Sequence, residues 1–147
     1  MQVYQLRVSI MGIPNLYRII EASEHCSLDE LHQAIFKAFE RFDAHLHSFF
    51  ITCEDAKSIR KIVQSLEVTH PQAMENVPGF GKEQKSSYKT RLSDLGLQEK
   101  DVFHYLFDFG DDWWHRIRVQ KISEDPSTKK HVQVVKAVGE SPPQYPD

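Results

Sequence analysis

Two groups of side chains in this sequence have the types that hold metal ions. His45 and His47 stand two positions apart in the segment His45-Leu46-His47-Ser48-Phe49-Phe50-Ile51-Thr52-Cys53, and Asp108, Asp111, Asp112 and His115 bracket a later Gly turn. Imidazole nitrogens and carboxylate oxygens suit zinc or manganese, and an open coordination position on such an ion activates water. A divalent-metal site built from His45, His47, Asp108, Asp111 and His115 would make the chain a metal-dependent hydrolase. The same residues have a plainer use. Aspartates accept backbone and indole hydrogen bonds at a tight turn, and histidines bridge sheet edges. His-x-His is common and the carboxylates have no decisive ligand spacing, so structural use is favoured and no cofactor is the default expectation.

Trp113 and Trp114 follow the aspartates directly and cannot both point inward on a strand, so one is expected to line a cleft or rim while the other packs on the helix. With His45, His47, Asp108, Asp111, Asp112 and His115, Trp114 completes the set of ligand-binding candidates. Arg116 and Arg118 share a strand face, and Lys129 and Lys130 begin another segment; as strand neighbours, these four would form an anion-binding edge. Solvated charge that discourages edge pairing explains them as well. His32 lies beside the apolar stripe of a helix and is a weak catalytic candidate. Cys26, Cys53 and Ser48 have no nucleophile context, so acyl-enzyme chemistry is disfavoured and the chain reads as leaning away from catalysis.

The elements that must position these residues are legible from periodicity. Phe103, Tyr105, Phe107 and Phe109 alternate with Val102, His104, Leu106 and Asp108, which is a strand signature. Gly110-Asp111-Asp112 then reverses the chain into a partner strand carrying His115, Ile117 and Val119 on one face, an antiparallel hairpin with carboxylates at its tip. Tyr4, Leu6, Val8 and Ile10 give an opening strand that pairs with a second at 16–21. Ser27 and Glu30 form a capping box ahead of the stripe Leu28, Leu31, Ile35, Phe39 and Phe42, predicting an amphipathic helix that ends near Phe42 or Asp43 and turns Lys37, Glu40 and Arg41 to water. Residues 45–53 read as a strand, 59–68 as a short helix or a slipped strand, 92–97 as a helical or turn connector, and 131–138 as a final strand. Residues 71–89, with Pro71, Pro78, Gly79 and Gly81, read as a mobile surface loop, and Gly79-Phe80-Gly81-Lys82 lacks the phosphate-loop spacing. The fold class that follows is α+β: a mainly antiparallel sheet packed against one principal amphipathic helix, with one or two smaller helices.

A chain of 147 residues with 40% hydrophobic content supports one core, so residues 1–147 read as a single domain. A net charge of -3, with 18 basic against 21 acidic residues, lacks the basic field of a general nucleic-acid binder. No apolar run approaches membrane-spanning length, and two isolated cysteines fit a reduced, cytoplasmic setting.

In order, Tyr4-x-Leu6-Arg7-Val8, Tyr17-Arg18-Ile19, Leu31-His32-x-x-Ile35, His45-Leu46-His47-x-Phe49, Leu92-Ser93-Asp94-Leu95 and Tyr105-x-Phe107-Asp108-Phe109-Gly110-Asp111-Asp112-Trp113-x-His115 resemble the plasmid pRiA4b ORF-3-like family over nearly the whole chain. The resemblance implies a compact α+β domain with a strongly curved sheet and places the histidines and aspartates among the signature residues. Its plasmid and transposon associations imply no particular chemistry. Gly139-Glu140-Ser141-Pro142-Pro143 resembles the start of the family's C-terminal continuation, but Gln144-Tyr145-Pro146-Asp147 departs from it, which reads as a shortened C-terminal region. The leading expectation is a non-catalytic binding or interaction domain for a protein or small-molecule partner. A metal-dependent hydrolase is the alternative and a nucleic-acid accessory protein the weaker third.

Overall fold

In the computed structural model, residues 1–74 and 83–145 are described. Strands β1 (Gln2–Ile10) and β2 (Tyr17–Ser23) form the expected opening hairpin, in register from Val3↔Ser23 to Ser9↔Tyr17. Gly12 and Asn15 take left-handed backbone in the connection, with φ 86° and φ 60°, the conformation that Gly and Asn accept most readily. Helix α1 (Leu28–Ala38) starts on the predicted capping box: Ser27 Oγ accepts from Glu30 N–H at 3.0 Å, and Glu30 Oε1 accepts from Ser27 N–H at 3.1 Å.

The helix stops earlier than its apolar stripe suggests. Glu40 adopts φ 56°, which lets Arg41 N–H reach back to Phe36 O at 3.0 Å and close the last turn. Two side chains change sides as a result. Phe42, expected on the buried stripe, is 73% exposed, and Arg41, expected in water, is 7% exposed.

Strand β3 (His47–Ile51) is shorter than the predicted span, because Cys53 turns left-handed at φ 56°. The segment 59–68, open between helix and strand, divides into helix α2 (Ile59–Ile62) and strand β4 (Leu66–Thr69). Within 71–89 lie a 3₁₀ turn at Pro71–Ala73 and strand β5 (Gln84–Ser86), while Gly79-Phe80-Gly81-Lys82 lies outside the described residues. A 3₁₀ turn at Leu92–Leu95 ends on Gly96 and leads into β6 (Val102–Phe107), β7 (Trp113–Glu124) and β8 (Val132–Val138).

The strands form one eight-stranded sheet in the order β5-β4-β3-β6-β7-β1-β2-β8. Among the described residues every pairing is antiparallel, as expected, except that of β4 with β5, which makes the sheet mixed; the expectation of strong curvature is corrected here, because the sheet is not strongly curved. Strong curvature needs closure or repeated bulges. Among the described residues the register shifts only at Gln5/Leu6 and Ile19/Ile20, and the edge strands β5 and β8 stand at opposite ends. Strand β5 pairs parallel to β4 because the connection after Thr69 is a crossover rather than a hairpin turn.

Every residue of β6 is buried, since both of its faces are covered. Phe103, Tyr105 and Phe107 share the main core with Leu31 and Ile35 of α1 and with Phe39, which caps the helix end. On the opposite face Leu106 packs with Phe50, Ala56 and Ile62, with Met11 and Trp114 against them. No helix among the described residues is long and apolar enough to cross a membrane.

Candidate metal centre

The first turns of α1 carry Asp29 and His32 three residues apart, hence on one face of the helix. That face lies over β3, where His47 is fully buried. The His32 and His47 rings stack with centroids 3.8 Å apart and planes 14° from parallel. Together with the Asp29 carboxylate, they present ligand atoms that all lie within 4.8 Å of one another, the only such trio among the described residues.

Local hydrogen bonding fixes this arrangement. Leu28 N–H donates to Thr90 O at 2.8 Å and Asp29 N–H to Ser87 O at 3.0 Å, so the helix start is pinned on the segment after β5. Ser87 Oγ lies 2.9 Å from His47 Nε2, and Tyr105 Oη, rising from β6, lies 2.6 Å from His32 Nδ1. His70 closes the outer side: its ring meets that of His47 edge-on at 5.7 Å, and its Nε2 is 3.0 Å from Tyr88 Oη.

Burial dominates the electrostatics. It pushes His32 down to about 4 and His47 down to about 2, with neighbouring imidazoles adding in the same direction. Both rings are therefore neutral at pH 7, the form in which imidazole ligates metal. Burial also raises the Asp29 carboxyl, a shift that His70 opposes, and it raises the Tyr105 phenol. His47 Nδ1 is buried without a hydrogen-bond partner among the described residues.

The residues singled out in the sequence are distributed over several places. Of the five proposed ligands, His47 alone belongs to the trio. His45 joins the hairpin tip, with Nε2 2.7 Å from Tyr145 Oη and 3.4 Å from Asp108 Oδ2. Asp108 is left-handed at φ 65°, and its Oδ1 accepts from Gly110 N–H and Asp111 N–H. Asp108 thus braces the backbone of the turn. Asp111 and Asp112 are exposed at the tip. His115 is fully buried elsewhere in the core: Nδ1–H donates to Trp113 O at 2.8 Å, Arg41 donates to Nε2 at 3.2 Å, and burial lowers the ring to about 3.

Trp113 packs on the main core and Trp114 on the second cluster, 5.5 Å from the Phe50 ring. Strand β7, with Arg116 and Arg118, is separated from β8 by β1 and β2, so these arginines have no strand-neighbour relation to the segment holding Lys129 and Lys130. Arg116 pairs with Asp55 and Lys130 with Glu30, each at 2.9 Å. Sequence reasoning missed Asp29 and undervalued His32. The signal is there in Asp29-x-x-His32 at a capped helix start, an acidic residue and an imidazole at i, i+3.

The fold and this cluster define a class: an α+β domain in which one helix lays an aspartate and a histidine over a histidine of a mixed sheet. Residues 2–145 match the family described as Plasmid pRiA4b ORF-3-like protein, and the chain belongs to that family. A solved structure, a protein of unknown function MM3350 from Methanosarcina mazei Go1, is similar at 25% identity with a TM-score of 0.74, covering 97% of this chain and 73% of that one. No curated protein matches significantly.

Proposed function

We propose that this protein binds a divalent cation through Asp29, His32 and His47, and that metal-assisted hydrolysis is the chemistry the site serves. The observation that carries the reading is the buried, unpartnered Nδ1 of His47 beside a second neutral imidazole and a carboxylate. Tyr105 engages His32 Nδ1 and Ser87 engages His47 Nε2, which leaves His32 Nε2 and His47 Nδ1 for a cation. Tyr105 and Ser87 then act as outer partners that orient the ligating rings. The stacked rings run their in-plane lone pairs side by side, so seating an ion requires one imidazole to rotate toward the other. Three protein ligands leave a tetrahedral ion one position for water, and a bound ion lowers that water's pKa toward neutrality. The cleft lined by His70, Tyr88, Lys85 and Lys89 borders the trio and supplies an approach with a basic rim.

Untagged protein should take up about one zinc or manganese ion per chain in equilibrium dialysis with elemental analysis. Asp29→Asn and His47→Ala should each weaken uptake about tenfold or more while the far-ultraviolet circular dichroism is retained. Uptake that is unchanged in both folded variants, or that never approaches one ion per chain, refutes the reading.

A further inference from the structure

A second site lies away from the metal trio and shares no residue with it. The β6–β7 hairpin tip, the β1–β2 connection, α2 and the segment at 144–145 enclose a groove of about 830 Å³. Its walls are aromatic and apolar, with Trp113, Trp114 and Tyr145 facing Met11 and Ile59, and Asp111 and Asp112 stand at its edge. We propose that this groove binds an organic ammonium ion, its charge set against the two aspartates and its apolar part against the indoles.

Three observations carry the inference. The volume falls in the range of small-molecule sites, where an apolar lining gives affinity and a few polar groups give orientation. Among the described residues neither Asp111 nor Asp112 has an ion-pair partner, while other acids such as Asp55 and Glu30 are paired with Arg116 and Lys130. The unbalanced negative charge at an aromatic wall is the combination that recognises alkylated ammonium groups. Arg41 already sits over the Trp113 ring at 4.6 Å from its centroid, so the cationic contact falls chiefly to Trp114 and Tyr145. The aspartates also hold their places for a reason. Asp112 takes φ 54°, and the turn is braced by Asp112 N–H donating to Asp108 O at 2.7 Å. Asp and Asn accept that left-handed conformation more readily than other side chains.

The chain contains two tryptophans, and both line this groove, so intrinsic fluorescence reports on it directly. Titration with benzyltrimethylammonium should give a saturable change confirmed by calorimetry, and phenylmethanesulfonate, of similar size and opposite charge, should bind at least about fivefold more weakly. The double variant Asp111→Asn, Asp112→Asn keeps residues that tolerate the turn and should lose about fivefold or more in affinity for the cation. As a second measurement on the unaltered protein, added sodium chloride should weaken the cation's binding. Equal binding of the two probes, salt-independent binding, an unaffected double variant, or no saturation in the millimolar range overturns the proposal.

Discussion

Acidification is the perturbation whose outcome the core geometry sets most directly. His32, His47 and His115 are held at about 4, about 2 and about 3, chiefly by burial, against 6.5 for an ordinary histidine. In the unfolded chain each takes up a proton as the pH falls through 6.5, whereas in the folded chain each stays neutral. The unfolded state therefore binds more protons, and stability is full above about 6.5 and declines as the pH drops toward the folded values. Between pH 7 and pH 5 each residue removes about 2 kcal/mol and the three together about 6 kcal/mol. That loss is comparable to the whole stability of an ordinary domain, ~5–15 kcal/mol. His104, also lowered by burial, adds with the same sign. Urea unfolding at several pH values measures the effect, and the slope near pH 5.5 should be about 4 kcal/mol per pH unit. His115→Gln should reduce that slope by about 1 kcal/mol per pH unit whatever it does to absolute stability, because it removes one titrating group. A slope near zero, or one untouched by His115→Gln, would show that these imidazoles are protonated in the folded chain and would refute the reasoning.

Two further substitutions probe how Asp29, His32 and His47 are held. Ser27→Ala removes the side-chain acceptor for Glu30 N–H and should cost about 1 kcal/mol in urea unfolding, with amide exchange rising first at Glu30. Tyr105→Phe takes the hydroxyl from His32 Nδ1 and should destabilise by about 1–3 kcal/mol. The same change should weaken cation uptake about tenfold through loss of ring orientation, which dialysis measures separately from stability.

The strands and the capped helix are readable because their signals are local. Alternation in Tyr4, Leu6, Val8 and Ile10, the Ser27–Glu30 box and the Gly110-Asp111-Asp112 reversal each depend on neighbours a few residues away. Sequence and structure part where distant packing decides the outcome. The stripe runs on to Phe42, but a left-handed Glu40 ends the helix and sends Arg41 inward, where its guanidinium lies 5.0 Å from the Phe107 centroid and 4.6 Å from that of Trp113. The hairpin acids and histidines stand out as a cluster because they are close in sequence. The trio instead joins α1 to β3 through a contact between His32 and His47, which only the docking of helix on sheet creates. Likewise, the parallel pairing of β5 on β4 follows from a long connection whose path no local pattern specifies.

The stacked pair of His32 and His47 is expensive as mere core filling. Apolar rings at the same positions would stack as well, would carry no acid-labile stability and would leave no orphaned nitrogen. A buried donor or acceptor without a partner costs about 1–3 kcal/mol, and His47 Nδ1 is in that state. Ser87 engages one nitrogen of His47 and Tyr105 one nitrogen of His32, and the pinned start of α1 brings Asp29 alongside. Arg41 Nε, His104 Nε2 and Trp113 Nε1 are likewise buried without partners among the described residues, but His47 Nδ1 is the one that belongs to the trio with a second imidazole and a carboxylate. A cation accepted by those nitrogens and the carboxylate would satisfy the orphaned group and balance the carboxylate's charge at once.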